Sequence, residues 1–464
     1  MTDSRPDSLY AVSPIDGRYA DRTEPLVPFA SEAGLMRARV QVEVEYLIDL
    51  ADLDDIPITI DDADRRALRD IYESFDRDDA ALIKRIETTG TDRYSATNHD
   101  VKAVEYFLRD RRPADLDIDP WIHFALTSED VNNLAHRLLI RSALETVLQP
   151  AIEAIHDTLV ADAAEYRSIP MLSRTHGQPA TPTTYGKELA VYANRLDRAR
   201  DRLDRAVDGL GGKLAGASGT YAAHVVAVPD VDWPAFAADF VEQLGFDHVP
   251  VTTQVNPCDD LAELFDALRG INAVLLDLNL DMWLYVSQGY LAQRADTTET
   301  GSSTMPHKIN PIDFENSEGN LSKAMADLTF LADAITRSRL QRDLSDSTVK
   351  RNIGAVFAHC LLGYTKCLDG LAAVVPNRPV IDRELEASPA VLAEAIQTVL
   401  RAAGHDDAYE RLKAHTRGQP IDRSTLHSIV DAADLDDETR TRLLALEPAD
   451  YIGLATRLAD DIAR

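Results

Sequence analysis

Apolar residues recur at spacings of three and four along most of the chain, and alternating apolar and polar runs are scarce, so the pattern predicts helices. Residues 31–53 carry Leu35, Val40, Val42, Val44 and Leu47 and read as a first helix. A second is expected over 62–86, followed by a polar loop over 88–98. Asp100 then reads as the cap of a helix with Val101, Val104, Phe107 and Leu108 on one face. From residue 127 the helices lengthen. Residues 127–166 are helical in pattern, with Pro150 forcing a kink or break. Residues 182–210 read as one helix through Leu189, Val191, Tyr192, Leu196 and Leu203. Residues 259–288 contain no proline and carry a continuous stripe of Leu264, Leu268, Ile271, Leu275, Leu278 and Met282. Further long helices are expected at 312–340 and 351–375.

Helices of this length, without sustained heptads or apolar runs able to span a bilayer, belong in a bundle, and such helices commonly pack against copies of themselves. Charged or proline-bounded segments at 109–120 and 377–379 suggest three parts. These are an N-terminal helical domain (1–117), a central long-helix bundle (118–375) and a smaller helical C-terminal domain (376–464). The expected fold class is all-α, and the expected state a homo-oligomer.

Composition narrows what such a bundle can do. The 464 residues are 45% apolar, enough for a large core, yet 78 acidic residues face 48 basic ones for a net charge of −30. Only nine of the basic residues are lysines. Such a surface repels nucleic acid and anionic membranes, and it suits a cytoplasm with concentrated salt, where self-repulsion is screened. A halophilic source is the hypothesis. Cys258, Cys360 and Cys367 show neither a disulfide pattern nor metal-ligand spacing, which fits a reducing cytosol. The first residues lack the basic and apolar regions of a signal peptide.

Against this acidic background stand four polar clusters, each placed just before or at a helix start. Thr97-Asn98-His99-Asp100, taken alone, reads as an ordinary N-cap. Thr127-Ser128-Glu129-Asp130 reads as a capping box, which leaves Ser128 unexplained. In the stretch from Ser173 to Pro182, prolines and a glycine surround His176, fixing a backbone shape that a surface turn rarely requires. The fourth is Gly301-Ser302-Ser303-Thr304-Met305-Pro306-His307-Lys308-Ile309-Asn310-Pro311. It is a donor-rich loop that empties into a helix start, where Asn310 can cap and Asp313 and Glu315 favour the dipole. Such a loop is a natural seat for an anion.

Weaker features are the turn Ser13-Pro14-Ile15-Asp16-Gly17-Arg18-Tyr19 and the group Arg342, Ser347, Thr348 and Arg351. Gly211, Gly212, Gly216 and Gly219 read either as a close approach to a ligand or as a flexible linker. No Walker loop, dinucleotide fingerprint, zinc pattern or nucleophile elbow occurs. Loops at helix ends of a bundle can meet at one place. Arg18, Lys308, Arg342 and Arg351 would there supply the cations that an anionic substrate needs.

The stretch from Gly301 to Pro311 resembles the signature loop of the fumarase/aspartase superfamily. His307 is similar to its adenylosuccinate lyase branch, where fumarases tend to carry glycine and argininosuccinate lyases glutamine. Arg174-Thr175-His176-Gly177-Gln178-Pro179-Ala180, Thr127-Ser128-Glu129-Asp130 and Thr97-Asn98-His99-Asp100 look like motifs of the same branch, and matches run from Ser13 to Tyr451-Ile452-Gly453. Residues 88–96 form a longer segment than that pattern has.

The resemblance implies a three-domain fumarase/aspartase-like fold whose central bundle forms a homotetramer, with each active site shared by three subunits. It implies release of fumarate from adenylosuccinate, giving AMP, and from succinyl-aminoimidazole-carboxamide ribotide in purine nucleotide biosynthesis, by general base and general acid. By resemblance Ser302 is the base and His176 the acid. His99 would orient the substrate or support His176, and Lys308 would stabilise the serine alkoxide. Ser303, Lys308 and Asn310, with Thr127, Ser128 and Gln254, would hold the fumaryl carboxylates. Arg18, Tyr19, Arg342, Ser347, Thr348 and Arg351 look like nucleotide and phosphate contacts, and Asn98, Asp100 and Asn316 complete the expected set. No metal or organic cofactor is implied.

Other readings are weighed against these. Argininosuccinate lyase, or another fumarate-releasing relative, is disfavoured by His307 and by the 97–100 cluster. A structural protein on this scaffold could lose its base or acid, yet Ser302 and His176 are both present. A plain helical binding module leaves the hydroxyl-rich loops unexplained.

Overall fold

Helices carry most of the regular structure among the described residues, which are 8–294, 309–410, 413 and 421–462 of a computed structural model. The described strands form only three two-stranded pairs. Among the described residues no helix is long and apolar enough to cross a membrane. Contacts divide the chain into two compact units.

The first unit holds Met1–Ile152, Ala199–Ala273 and Gly319–Gly363. Its Glu32–Leu50 helix starts where Ser31 Oγ accepts the Gly34 N–H at 3.0 Å. Gly34 is needed there, because a Cβ would lie 2.4 Å from the Pro28 carbonyl oxygen. Met36, Val40, Val44 and Leu47 then pack with Leu68, Ile83, Val104 and Phe107 in one apolar cluster.

The single helix expected over 62–86 is in fact two, Asp62–Glu73 and Arg77–Thr88. The cause is Asp76, whose carboxylate takes the N–H groups of Asp78 and Asp79 at 2.8 and 3.1 Å and so opens a new helix. A second correction concerns the next helix, Asp100–Arg111. Its cap is His99, whose Nδ1 accepts the Lys102 N–H at 3.2 Å, which leaves the Asp100 carboxylate for Arg39. Further on, Ser128–Ala143 runs into a π-helical turn, Leu144–Leu148, before Gln149–Glu165. The wide turn sits next to Pro150, which has no backbone N–H to donate.

The glycine segment after residue 210 is neither a linker nor a ligand cradle. It is tied into the core by Asp130, which is fully buried. That carboxylate meets Lys213 Nζ at 2.7 Å and takes the N–H groups of Thr127, Ala215 and Gly216 at 2.8, 3.0 and 3.1 Å. Asn133 bonds both ways with Lys213, through its N–H and its carbonyl. Gly212 packs so tightly that a Cβ would come within 2.4 Å of Leu134 Cδ2.

The second unit holds Glu153–Arg198, Val274–Glu318 and Tyr364–Arg464. Within it Pro170–Thr175 and Gln178–Thr184 pair as an antiparallel hairpin, with Met171 opposite Thr183 and Thr175 opposite Gln178. The helix expected from residue 182 therefore begins later, as Tyr185–Asp208. A second antiparallel pair joins Leu291–Gln293 to Val374–Pro376. Near the C-terminus Leu392, Ile396, Leu400, Leu426, Ile429 and Val430 make a small core of their own. The long helices Asp259–Ser287, Ile312–Ile335 and Ile353–Ala372 contribute residues to both units.

Candidate active site

Within the first unit, three helix ends and one loop enclose a polar cavity of about 500 Å³. The turn before Asp100–Arg111 brings Asn98, His99 and Asp100. The start of Ser128–Ala143 brings Ser128, and the next turns of the same helix add Asn132 and His136. Gln254 comes from the loop before Asp259. Arg342, Ser347, Lys350 and Arg351 come from the segment around the short Ser345–Lys350 helix. A second chamber of about 410 Å³ shares Arg39, Asp100, His136, Lys350 and Arg351, and is otherwise lined largely by apolar groups such as Phe29, Leu139 and Phe357.

Electrostatics make this a seat for an anion. Arg39, Arg342, Lys350 and Arg351 line it with Glu87, Asp100 and Glu129. Arg39 is held by Asn132 Oδ1 at 2.8 Å and Asp100 Oδ2 at 2.7 Å. Burial pushes the Asp100 carboxyl up, but Arg39 and the Val101 N–H outweigh it and hold it below its ordinary value. Lys350 is buried between Glu129 and Asp346. Burial works against its charge, yet Cys258, Glu129 and Asp346 keep the ammonium well above its ordinary pKa. Burial also pushes His136 down, and the neighbouring Lys350, Arg39, Arg137 and Arg351 push it further, so its imidazole is neutral. Among the described residues Arg351 has no ion-pair partner, which leaves a cation on the wall for a ligand.

Of the residues expected from sequence, Asn98, His99, Asp100, Ser128, Gln254, Arg342, Ser347 and Arg351 line this one cavity. Thr127, Thr348, Arg18 and Tyr19 do not. Thr127 spends its N–H on Asp130, Thr348 faces solvent, and Arg18 is exposed with Tyr19 on the turn before Ala20–Thr23. In the second unit, His176 stands at the exposed tip of the hairpin with φ 53°, followed by Gly177 at 73°. Left-handed backbone at both positions is what a two-residue hairpin turn requires. Arg174 braces the tip, donating to the Gly177 carbonyl at 3.3 Å and pairing with Glu384. Asn310 precedes the Ile312–Ile335 helix and Asn316 lies within it. Ser302, Ser303 and Lys308, with His307, lie outside the described residues.

Arg39, Glu129, Asn132, His136 and Lys350 were not expected in the cavity. Asn132 and His136 follow Ser128 at intervals of four, the spacing of one helix face, so that pair was within reach of the sequence. Arg39 sits in an apolar stripe, and only its distant partner explains it.

Residues 17–326 match a lyase family model, and residues 338–452 match the C-terminal model of adenylosuccinate lyase. The chain is 45% identical to the adenylosuccinate lyases of Vibrio cholerae and Escherichia coli, with 98% of this chain and 99% of each relative covered. It is 42% identical to the adenylosuccinate lyase of Dictyostelium discoideum, with 97% of both chains covered. In fold it is similar to a fumarate lyase from Mesorhizobium, with a TM-score of 0.74 at 21% identity over 96% of this chain and 97% of that one. It is also similar to a 3-carboxy-cis,cis-muconate lactonizing enzyme from Pseudomonas putida, with a TM-score of 0.71 at 22% identity over 94% and 96%. Two family models in tandem and full-length identity above 40% leave one assignment: the chain is a lyase and belongs to the adenylosuccinate lyase family.

Proposed function

We propose that the protein cleaves adenylosuccinate to AMP and fumarate, and the corresponding succinyl-carboxamide ribotide in the same manner, with the polar cavity holding the anionic nucleotide. The carrying observation is the convergence of Asn98, His99, Ser128, Gln254, Arg342, Ser347 and Arg351 on one wall system, with Arg351 left uncommitted. Ser302 takes the proton from the carbon next to a carboxylate. The released electron pair forms the carbon–carbon double bond of fumarate as the carbon–nitrogen bond breaks, and His176 gives its proton to the leaving nitrogen. Lys308 and the loop N–H groups stabilise the serine alkoxide, and Ser303 and Asn310 hold the carboxylates. Arg351, Ser347 and Arg342 bind the phosphate end, assisted by Arg18, Tyr19 and Thr348, while His99 orients the substrate.

His176 and the cavity wall would come together in a homotetramer with shared sites. Exposed Leu280, Trp283 and Leu284 on the Asp259–Ser287 helix support such a self-association. The three-part division at 117/118 and 375/376 belongs to the same reading. So does a reducing cytoplasm, which the three buried free cysteines suit. The excess of acidic groups supports a halophilic source, and a melting temperature indifferent to salt would count against it.

Incubation with adenylosuccinate, following AMP and fumarate together, tests the activity. Release from argininosuccinate instead would replace this reading with the runner-up. Ser302→Ala should abolish turnover while substrate still binds, and near-normal turnover would remove Ser302 from its role.

A further inference from the structure

One wall of the cavity is built from a continuous line of side chains. Lys350 Nζ lies 2.9 Å from Asp346 Oδ2 and 3.0 Å from Glu129 Oε1. The other oxygen of Glu129 is 3.8 Å from Arg342 Nη2. Arg342 Nη1 donates to Gln254 Oε1 at 3.1 Å, and Gln254 Nε2 is anchored on the Ala217 carbonyl at 2.9 Å. Lys350, Glu129 and Asp346 are almost wholly buried, whereas the Arg342 side chain is 22% exposed and faces the cavity.

The charges in this line cancel: two carboxylates, Asp346 and Glu129, face two cations, Lys350 and Arg342. The distances divide them unequally. Glu129 is in close contact with Lys350 and only loosely with Arg342, so the arginine keeps its bond to Gln254 and its place on the wall. Without the ammonium, Glu129 would have Arg342 as its nearest counter-ion. A buried carboxylate left with one cation 3.8 Å away draws it in, because attraction between opposite charges strengthens as water is excluded.

We infer that Lys350 is a positioning residue: by holding Glu129 it keeps Arg342 turned toward the cavity, where the anionic end of the substrate binds. This rests on Arg342 being a substrate contact, as proposed above. Lys350 itself spends its ammonium on two carboxylates and acts through its neighbours.

Three variants separate this role from simple packing, all measured as AMP and fumarate release from adenylosuccinate. Lys350→Met is expected to raise KM at least tenfold while kcat falls less than threefold. Adding Glu129→Gln to it removes the carboxylate that pulls on Arg342 and should bring KM back to within threefold of wild type. A packing defect, or a lost direct contact between Lys350 and substrate, would not be rescued by that second change. If Lys350→Met alone fails to fold, Glu129→Gln in the otherwise unchanged chain still decides, since removing the weak pull across 3.8 Å should leave KM less than tenfold above wild type; a tenfold rise there overturns the inference. A double variant no better than Lys350→Met overturns it as well. A wild-type protein that does not cleave adenylosuccinate would instead overturn the functional reading on which this one rests.

Discussion

Two turns of this chain look alike on paper and do opposite things in the structure. Thr127-Ser128-Glu129-Asp130 and Arg174-Thr175-His176-Gly177-Gln178 are both short, polar and placed near a helix start. In the first, Asp130 is fully buried, and its carboxylate is committed to Lys213 and three backbone N–H groups. In the second, His176 is exposed, held in left-handed backbone, and has no hydrogen-bond partner among the described residues. Polar groups that serve the fold have their bonds made in advance. In the function proposed above, those offered to a ligand are left with bonds unmade, as at His176. The contrast repeats among the arginines: Arg137 is wholly buried and forked onto Asp260 at 2.9 and 2.7 Å, whereas Arg351 is exposed on the cavity wall.

The largest effect should come from breaking the committed cluster. Lys213→Met leaves Asp130 buried beside its N–H partners but without its cation. Removing one member of a buried ion pair costs on the order of 3–5 kcal/mol, a large share of a domain's total stability. The denaturation midpoint should fall sharply, with much of the protein insoluble. A loss below about 1 kcal/mol would mean that the N–H groups alone suffice for Asp130 and that the comparison overstates the pair.

The exposed turn should behave in the reverse way. His176→Asn keeps a residue that tolerates left-handed backbone but supplies no acid for the leaving nitrogen. Turnover should fall by about 10²–10⁴-fold, the usual contribution of a general acid, while the melting temperature stays where it was. Retention of a tenth or more of the activity would move the acid elsewhere, with His99 the next candidate.

How much of this was legible beforehand differs with the length scale of the cause. The long helices were, because an apolar stripe such as Leu264, Leu268, Ile271 and Leu275 repeats its message over many turns; the helix found, Asp259–Ser287, ends within a residue of the one expected. The hairpin at 170–184 was not. Pro170, Pro179 and Pro182 break any alternation, and its buried positions come in runs rather than every second residue. The break at Asp76 was missed because capping depends on which side chain reaches which N–H, and several aspartates compete there. In the cavity, Asn98, His99, Ser128 and Arg351 could each be singled out by local chemistry and Gln254 only through the family resemblance, but their meeting is tertiary. Arg39 had no local mark, since its partner Asp100 lies 61 positions away, and the local i, i+4 pair of Lys350 with Asp346 gives no sign of its second partner, Glu129, 221 positions away.

The smallest of the three effects lies within the committed region and is read by pH. His224 is fully buried, with Nε2 3.3 Å from the Tyr46 hydroxyl, Nδ1 without a partner among the described residues, and the rings of Trp233 and Tyr221 packed beside it. Burial pushes its pKa down to about 4; Asp130 opposes this and Lys213 adds to it. The sign follows directly. The folded state binds the proton less readily than the unfolded chain, whose histidine titrates near 6.5, so the contribution to stability is complete above pH 6.5 and is lost as pH falls toward 4. Between pH 7 and 4.5 that loss is about 2 kcal/mol. Other groups move in the same window: Asp49 and Asp162, raised chiefly by burial to about 7 and about 6, gain stability as pH falls and partly mask it. The difference between wild type and His224→Gln cancels those carboxylates. The variant should be less stable at pH 7, and its deficit should shrink by about 2 kcal/mol at pH 4.5, because glutamine takes up no proton in either state. A deficit constant across that range would show that His224 charges freely where it sits, and would place it with the uncommitted groups rather than the committed ones.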